Sequence, residues 1–378
     1  MDQSLYTYSL IVALPLMLFF GFHLLLAQVP SKKVFSNFLL SRRMIGVALL
    51  ILALNYSVHL FFGIRVTNVN ATILMNLSTY FICYWFFCAA MMTLLDRRYV
   101  TRARFCRHTI MWLTFSVSTF IVSQLPSTGK IQEIGTSFLA VLLVIYGIFL
   151  SVQLLQTYAK SIRMFNNTHS DDIGAYIRWM SIFTYWAIGF GISCGLLTFL
   201  PNEYVFLWIL SSIPFYIYLY CCYQNYVLFY ERVEQAFEED LNISMPEDDT
   251  GTPLAPPNNS NTPAYYSDIS RRIKAWMDSE GYIQSGITLN ELSIQLCTNR
   301  TYLSEYINNV FNRNFRDWIT DLRLEYAKRL MKQQPRQRIQ EISEASGFIS
   351  SSHFTRTFSA KEGCSPVRWR NRIHDISQ

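Results

Sequence analysis

Apolar residues dominate the first 230 positions in seven runs, each close to the length of a membrane-crossing helix. A hydrocarbon core about 30 Å thick takes about 20 helical residues. Thr and Ser interrupt the fourth run, and the seventh contains Pro214, which membrane helices tolerate as a kink. The pattern predicts seven transmembrane helices, at approximately Leu5–Ala27, Met44–Ile64, Ala71–Leu95, His108–Leu125, Ile134–Tyr158, Tyr176–Leu200 and Tyr204–Tyr226.

Basic residues alternate between the loops that join these runs. The loops after the second and fourth runs hold one each, Arg65 and Lys130, and the loop after the sixth holds none. Because cytoplasmic loops carry the excess of Lys and Arg, we expect a multi-pass protein of a bacterial inner membrane with its N-terminus outside and its C-terminus in the cytoplasm. The basic loops, after runs one, three and five, contain Lys32, Lys33, Arg42 and Arg43, then Arg97, Arg98, Arg102, Arg104 and Arg107, then Lys160 and Arg163.

Polar side chains inside the runs have two interpretations. Asn55 and His59 lie four residues apart and share one helix face. Polar groups in hydrocarbon find partners or line cavities, so they could form interhelical hydrogen bonds or belong to a sensing site. The identity of any ligand stays unknown.

Residues 231–266 differ in composition from both flanks. Glu231–Asp240 is acidic and is predicted to extend the seventh helix, while residues 245–263 are rich in Pro, Asn and Asp and are predicted to be a disordered spacer. One face of the extension is apolar and could pair two copies as a homodimer, but it is too short to predict a coiled coil. Its apolar residues are Val227, Val233, Phe237 and Leu241.

Residues 267–378 contain one pattern written twice. The apolar, Glu, apolar, Ser order of Leu289, Glu291, Leu292 and Ser293 recurs 50 positions later as Ile339, Glu341, Ile342 and Ser343. Each copy predicts a short amphipathic helix followed by a tight turn, through Cys297 in the first copy and Gly347 in the second. Thr288 and Glu291 have the spacing of a capping box.

A second helix follows in each copy, and its polar face points away from the predicted core. Leu303, Ile307 and Val310 are predicted to be buried in the first copy, and Phe354 and Phe358 in the second. Between the copies, Phe315–Met331 predicts a helix of about 25 Å, with an apolar stripe at Trp318, Ile319, Leu322, Tyr326, Ala327 and Leu330. The outward residues are Thr301, Tyr302, Ser304, Glu305 and Asn308, then Ser352, His353, Thr355, Arg356 and Ser359.

This layout resembles the AraC/XylS-type DNA-binding domain over the last quarter of the chain. Specific points of resemblance are the Arg323-Leu-Glu-Tyr-Ala-Lys run and the Gly-x-Ser-Pro-x-x-Trp-Arg ending. Three positions depart from the family pattern: Glu305 replaces a frequent basic residue, Cys297 replaces a usual glycine, and Ile349 shifts the helix cap to Ser350. The resemblance implies double-stranded DNA and RNA polymerase as partners.

The base-reading residues of the family correspond to outward positions of both copies. With their neighbours on the same faces, the candidates are Arg300, Thr301, Tyr302, Ser304, Glu305 and Asn308, then Ser351, Ser352, His353, Thr355 and Arg356. A short helix with small polar side chains and an Arg fits the major groove. Candidate phosphate contacts are Arg316, Lys328, Arg329, Lys361 and Arg368.

Composition narrows the class of protein. A chain that is 51% hydrophobic and 15% charged is too apolar for a soluble regulator. From residue 268 onward 17 Lys and Arg stand against 12 Asp and Glu, which suits phosphate contacts. The eight cysteines show no disulfide or metal spacing.

These observations predict an all-α protein with three parts: a transmembrane region at 1–230, a linker at 231–266 and a DNA-binding domain at 267–378. The expected function is a membrane-bound transcription regulator that senses an unknown small molecule or periplasmic signal and contacts lipid. The sequence leaves open whether it is an activator or a repressor. No catalytic motif and no cofactor site is predicted. The alternative is a transporter or enzyme domain that carries a regulatory DNA-binding domain, although the runs hold almost no acidic residues.

Overall fold

The computed structural model describes residues 2–30, 32–126, 130–197, 199, 204–244 and 264–376. The described secondary structure is helical apart from one isolated antiparallel bridge between His169 and Thr288, so the predicted all-α class is confirmed. The chain divides into two compact units. The first comprises Met1–Lys160 and Ile177–Glu234, and the second comprises Ser161–Tyr176 and Gln235–Gln378. The predicted spacer at 245–263 lies outside the described residues.

The described residues up to 244 form eight α-helices, of which one is a single turn. Six stretches in the described residues are long and apolar enough to cross a membrane. The sixth predicted run corresponds to α7, but most side chains after residue 189 in that run are not described, so the number seven stays a prediction. The helices are α1 Asp2–Leu26, α2 Ser36–Phe62, α3 Ile64–Thr67, α4 Val69–Leu95, α5 Arg102–Ser123, α6 Lys130–Thr168, α7 Gly174–Leu197 and α8 Val205–Ser244.

Large apolar side chains cover much of the outer surface of the first unit. Phe61 is 75% exposed and Ile131 is 68% exposed, and many more Leu, Ile and Phe side chains of α1, α5 and α6 also face outward. Soluble proteins rarely expose contiguous apolar surface on this scale. The exposed apolar faces and the long helices together suggest a membrane segment.

The in-span polar residues Asn55 and His59 form interhelical hydrogen bonds. The His59 Nε2 atom lies 2.9 Å from Asn76 Oδ1, and the Asn55 side-chain amide donates to the same oxygen at 3.1 Å. The other ring nitrogen, His59 Nδ1, lies 2.8 Å from the Tyr6 hydroxyl. This network joins α1, α2 and α4, as expected for polar groups that need partners between apolar helices.

The second unit contains seven further helices around two hydrophobic cores. The first core gathers buried residues of α9 to α11 and the start of α12, including Leu292, Leu303 and Trp318. The second gathers the rest of α12 with α13 and α14, including Ile342 and Phe354. The helices are α9 Ala264–Asp278, α10 Leu289–Gln295, α11 Arg300–Phe311, α12 Phe315–Gln333, α13 Ile339–Ala345, α14 Ser351–Glu362 and α15 Pro366–Ile376.

One predicted core assignment was wrong. Val310 is 49% exposed, because the first core takes Tyr306 from the preceding turn of α11 and Phe311 from its end. The predicted stripe of α12 does face the cores: Trp318, Ile319 and Ala327 are buried in them, while Leu322, Tyr326 and Leu330 are partly buried and pack against them. A helix that serves two cores buries a second face as well, and that face contains Phe315, Thr320, Arg323, Leu324 and Met331.

Candidate DNA interface

The two repeated turns have the same backbone geometry. Thr298 N donates to Ser293 O at 2.9 Å, and 50 positions later Phe348 N donates to Ser343 O at 3.1 Å. The turn residues Cys297 and Gly347 both have positive φ, of 48° and 81°. A left-handed residue after a short helix is the usual way to turn the chain tightly. The repeat in the sequence is therefore also a repeat of two helix-turn-helix units.

A residue larger than glycine at position 347 would force the neighbouring backbone to move. A Cβ at this position would lie 2.4 Å from the carbonyl oxygen of Ile283, which belongs to the turn before α10. At Cys297 the same left-handed conformation carries a side chain, at a strain cost of about 1–2 kcal/mol. The first copy is therefore the more strained of the two.

Both candidate reading helices begin at a capped residue. The Asn299 side chain accepts from Thr301 N at 2.7 Å at the start of α11, and the Ser350 hydroxyl accepts from His353 N at 3.1 Å at the start of α14. The cap shift to Ser350 is therefore observed. Each helix ends at a left-handed residue, Asn312 or Gly363. The two capped helices are each 12 residues long.

The candidate base-reading residues lie mainly on the outer faces of these helices. On α11, Thr301, Tyr302, Glu305 and Asn308 are exposed, while Arg300 and Ser304 are partly buried. On α14, Ser352 and Arg356 are exposed, while Ser351, His353 and Thr355 are partly buried. The structure therefore groups the candidates of each copy on one helix. The Asn308 side-chain amide lies 3.4 Å from Ser304 Oγ, one turn away on the same face.

Four of the five candidate phosphate contacts are in ion pairs. Lys328 Nζ lies 2.6 Å from Glu325 Oε1 and 2.8 Å from Glu362 Oε1. Burial lowers the pKa of Lys328, but the hydrogen bonds that it donates to both carboxylates, together with their negative charge, raise it more, so the net shift is upward. Lys361 pairs with Asp321, Arg329 with Glu280 and Arg316 with Asp172. The fifth, Arg368, is exposed near the start of α15.

Within the second unit, residues 166–173 contact α14 and the start of α12, and we call them the acidic segment. The Asp172 carboxylate lies 2.9 Å from Arg356 Nη2 and 3.0 Å from Arg316 Nη2, and its Oδ2 atom lies 3.8 Å from His353 Nε2. Arg316 also donates to Asn166 Oδ1 at 2.9 Å. One carboxylate therefore joins two candidate base-reading residues and one candidate phosphate contact. We predicted no role for this segment, because nothing in its sequence marks a partner 140 or more residues away.

The backbone of the acidic segment is held as well. Ser170 N donates to Ile287 O at 3.2 Å, and His169 and Thr288 form the isolated antiparallel bridge. Thr288 is also the N-cap of α10, where the predicted capping box with Glu291 is present. The segment is thus attached to the entry of the first helix-turn-helix and to the reading helix of the second.

Arg323 has a structural role that the sequence pattern did not reveal. Its side chain is 2% exposed, and its Nε and Nη2 atoms donate to Tyr282 O at 2.8 Å and to Gln284 O at 2.7 Å. Burial lowers the pKa of Arg323 to about 10, and Asp171, 3.7 Å away, opposes that shift. The guanidinium therefore joins α12 to the turn between α9 and α10.

Among the residues that the structure describes, no group of three His, Cys, Asp or Glu side chains is placed to hold a metal ion. The outer face instead offers hydroxyl, amide, imidazole and guanidinium groups on two short helices. Such groups can donate to and accept from base edges in a major groove.

Comparisons with known proteins find similarity in the second compact unit. Residues 292–372 match a protein-family model described as a helix-turn-helix domain. The Msm operon regulatory protein of Streptococcus mutans serotype c (strain ATCC 700610 / UA159) is 26% identical over 117 residues, which are 31% of this chain and 40% of that protein. The uncharacterized HTH-type transcriptional regulator YobQ of Bacillus subtilis (strain 168) is 34% identical over 73 residues, or 19% and 30% of the two chains.

The chain thus covers less than half the length of these two curated relatives. No solved structure matches it. The resemblance to AraC-type domains is confirmed for the C-terminal region. The two similar proteins are named as an operon regulatory protein and as an HTH-type transcriptional regulator.

Proposed function

We propose, from the premise that the C-terminal region is an AraC-type helix-turn-helix domain, that this chain is a membrane-anchored, sequence-specific DNA-binding transcription regulator. The proposal rests above all on the repeat of one turn geometry at Cys297 and Gly347, each followed by a capped helix with a polar outer face. Helix-turn-helix proteins read base edges with the residues of such a second helix. Two units in one chain can read two successive segments of one DNA face.

The length of α12 supports this use. Its 19 residues span about 28 Å, and the major groove of B-DNA returns to one face about every 34 Å. A helix rigidly packed in two cores can hold α11 and α14 at a fixed separation on that scale. The chain then contacts consecutive major-groove turns without requiring a second copy.

Arg356 is the side chain with the most specific expected role. It is the Arg on the outer face of α14, and a guanidinium can bond guanine O6 and N7 together. On this proposal the small polar residues of both helices and Glu305 read neighbouring bases, Glu305 by accepting from a cytosine amino group. Arg368 contacts a phosphate from its exposed position, and Arg316, Lys328, Arg329 and Lys361 contact phosphates after exchanging their present carboxylate partners.

The experiment compares Arg356→Ala with Lys361→Ala in the full-length protein, purified in detergent. Binding sites are selected from a random duplex pool, and affinities are measured on selected and scrambled duplexes. Loss of a base contact weakens selected sites by about 1–3 kcal/mol and relaxes one base position, whereas loss of a phosphate contact weakens all duplexes alike. Enrichment of no motif by the unmodified protein would contradict sequence-specific binding, and equal losses on all duplexes would remove Arg356 from the base-reading set.

The N-terminal region is proposed to anchor the protein and to sense a signal. Support comes from six described stretches with the length and apolarity of membrane spans, and from the alternation of basic loops. A reader of chromosomal DNA requires a cytoplasmic C-terminus. Reporter fusions after residue 378 test this orientation: a cytoplasm-active reporter must work there, and activity of a periplasm-specific reporter instead would refute it.

A further inference from the structure

The Asp172 carboxylate contacts two of the candidate DNA-binding arginines. It bonds Arg356, the exposed guanidinium of α14, and Arg316, at the start of α12. A carboxylate and a phosphate oxygen are equivalent acceptors for a guanidinium. The contact from Arg356 to Asp172 is made by Nη2. Because Nη2 takes part in either edge of the guanidinium that can bond guanine O6 and N7, Asp172 competes with guanine for this nitrogen.

The acidic segment is a built contact and not a single chance ion pair. Asn166 Oδ1 accepts from Arg316, Ser170 N donates to Ile287 O, and Asp171 approaches the buried Arg323. Asp172 is only 20% exposed in this arrangement. Several bonds made by one short segment share the entropy cost of ordering it, so each adds more than an isolated surface pair would.

Acidic residues are rare in the first 230 residues of the chain, and the acidic segment contains two of them. Residues 1–230 hold six acidic residues, and two of them are the adjacent pair Asp171 and Asp172. Both face arginines of the second unit. Their negative charge repels DNA and neutralises the positive charge of the arginines that they face.

We propose that the acidic segment is an intramolecular competitor of DNA: the reading face of α14 binds either residues 166–173 or a duplex, and release of the segment switches the regulator on. This inference rests on the proposed DNA-reading role of α14. It assigns the off-state to the contact of Asp172 with Arg356 and Arg316. A signal that moves the segment would raise DNA affinity without altering any DNA-contacting residue.

The test uses full-length protein in detergent, with Asp172→Asn compared with the unmodified chain and with Asp268→Asn. Asp268 is also an acidic residue of the second unit in ion pairs with two arginines, but those arginines lie on α9. Its variant therefore removes the same charge without touching the reading face. Affinity for a fluorescent 40-base-pair duplex, of random sequence or selected from a random pool, is measured by anisotropy at fixed salt.

We expect Asp172→Asn to bind about tenfold more tightly than the unmodified protein, as the loss of two partly exposed ion pairs implies, and Asp268→Asn to change affinity less than twofold. Equal affinity for all three proteins would overturn the inference while leaving DNA binding intact. Equal gains in both variants would also overturn it, because the effect would then be general charge repulsion. Absence of duplex binding in every protein would refute the proposed function itself.

Hydrogen exchange provides a second readout that does not depend on affinity. Ser170 N is protected by its bond to Ile287 O. Addition of duplex to the unmodified protein should speed exchange in peptides covering residues 166–173, and Asp172→Asn should speed it without DNA. Unchanged protection at saturating duplex, with binding verified in the same sample, would show that segment and DNA bind together and would overturn the competition.

Discussion

Replacement of Arg323 by Met provides a direct measure of how the second unit is held together. Two backbone carbonyls, Tyr282 O and Gln284 O, lose a charged donor. A buried acceptor left without a donor costs about 1–3 kcal/mol. The Tyr282 bond is buried and the Gln284 bond only partly so, which favours the full cost for the first carbonyl and a smaller cost for the second.

Two further effects of the Arg323→Met change oppose each other. Met fills most of the volume of the arginine stem, so the cavity cost is small. Burial of the guanidinium is itself unfavourable, as its lowered pKa shows, and its removal recovers part of the loss. The expected net decrease in the free energy of unfolding is about 3 kcal/mol, within the range for breaking a buried charged pair.

Hydrogen exchange of the full-length protein measures this change locally. Where closing is faster than exchange, about 1.4 kcal/mol corresponds to a factor of ten, so amides of α12 should exchange roughly 100-fold faster in Arg323→Met. Arg329→Met is the matched control, because Arg329 is on the same helix and bonds Glu280 and the Tyr282 hydroxyl. Its side chain is 55% exposed, and such pairs contribute about 0–1 kcal/mol. Equal exchange rates in the two variants would refute the assignment of Arg323 as the central tie.

Three other predictions concern single positions. Gly347→Ala should lower the free energy of unfolding by about 3 kcal/mol, from left-handed strain and a clash with Ile283 O, whereas Gly363→Ala, with open space around its Cβ, should cost only about 1–2 kcal/mol; urea midpoints compare them. Cys297→Gly should raise the free energy of unfolding by about 1 kcal/mol, because glycine adopts the left-handed φ of 48° without strain. A lower urea midpoint in this variant would mean that packing of the thiol stabilises the fold by more than the strain costs. Burial lowers the pKa of His353 despite the nearby Asp172, so the unfolded chain binds more protons just below pH 6.5, and stability should fall there on acidification. In His353→Gln this component should be absent, as a urea series between pH 5 and 7.5 would reveal.

Local features of the second unit could be predicted because neighbouring residues determine them. The Thr288 and Glu291 capping box, the Ser350 cap and the left-handed turn residues all depend on bonds within a few positions. The repeat of apolar positions at Leu292 and Ile342 reports burial directly, and both side chains are fully buried. Short-range hydrogen bonding and periodicity therefore identify the two helix-turn-helix copies and the helices that carry the candidate base-reading residues.

Long-range partners could not be predicted from the same patterns. Arg323 stands in a polar position of the α12 sequence, and its burial is explained by tertiary partners: the carbonyls of a turn about 40 residues earlier and the acidic segment. Val310 has the correct helical spacing for the core but is displaced from it by Tyr306 and Phe311. The ion pairs of Lys328 and Arg316 likewise depend on tertiary neighbours, Glu362 and Asp172. A single sequence gives no information on such pairings when each residue alone suits a solvated helix surface.

The position of α12 explains why the contact with the acidic segment can influence both helix-turn-helix copies. The start of this helix, with Trp318 and Ile319, belongs to the first core, and its end, with Ala327 and Met331, belongs to the second. Arg323 lies where these two sections meet and bonds both the turn before α10 and the acidic segment. Because closely packed cores shift between discrete arrangements instead of deforming gradually, loss of the acidic segment would act on the junction as well as on Arg356. A change at this junction would reach both cores, because α12 is the helix that they share.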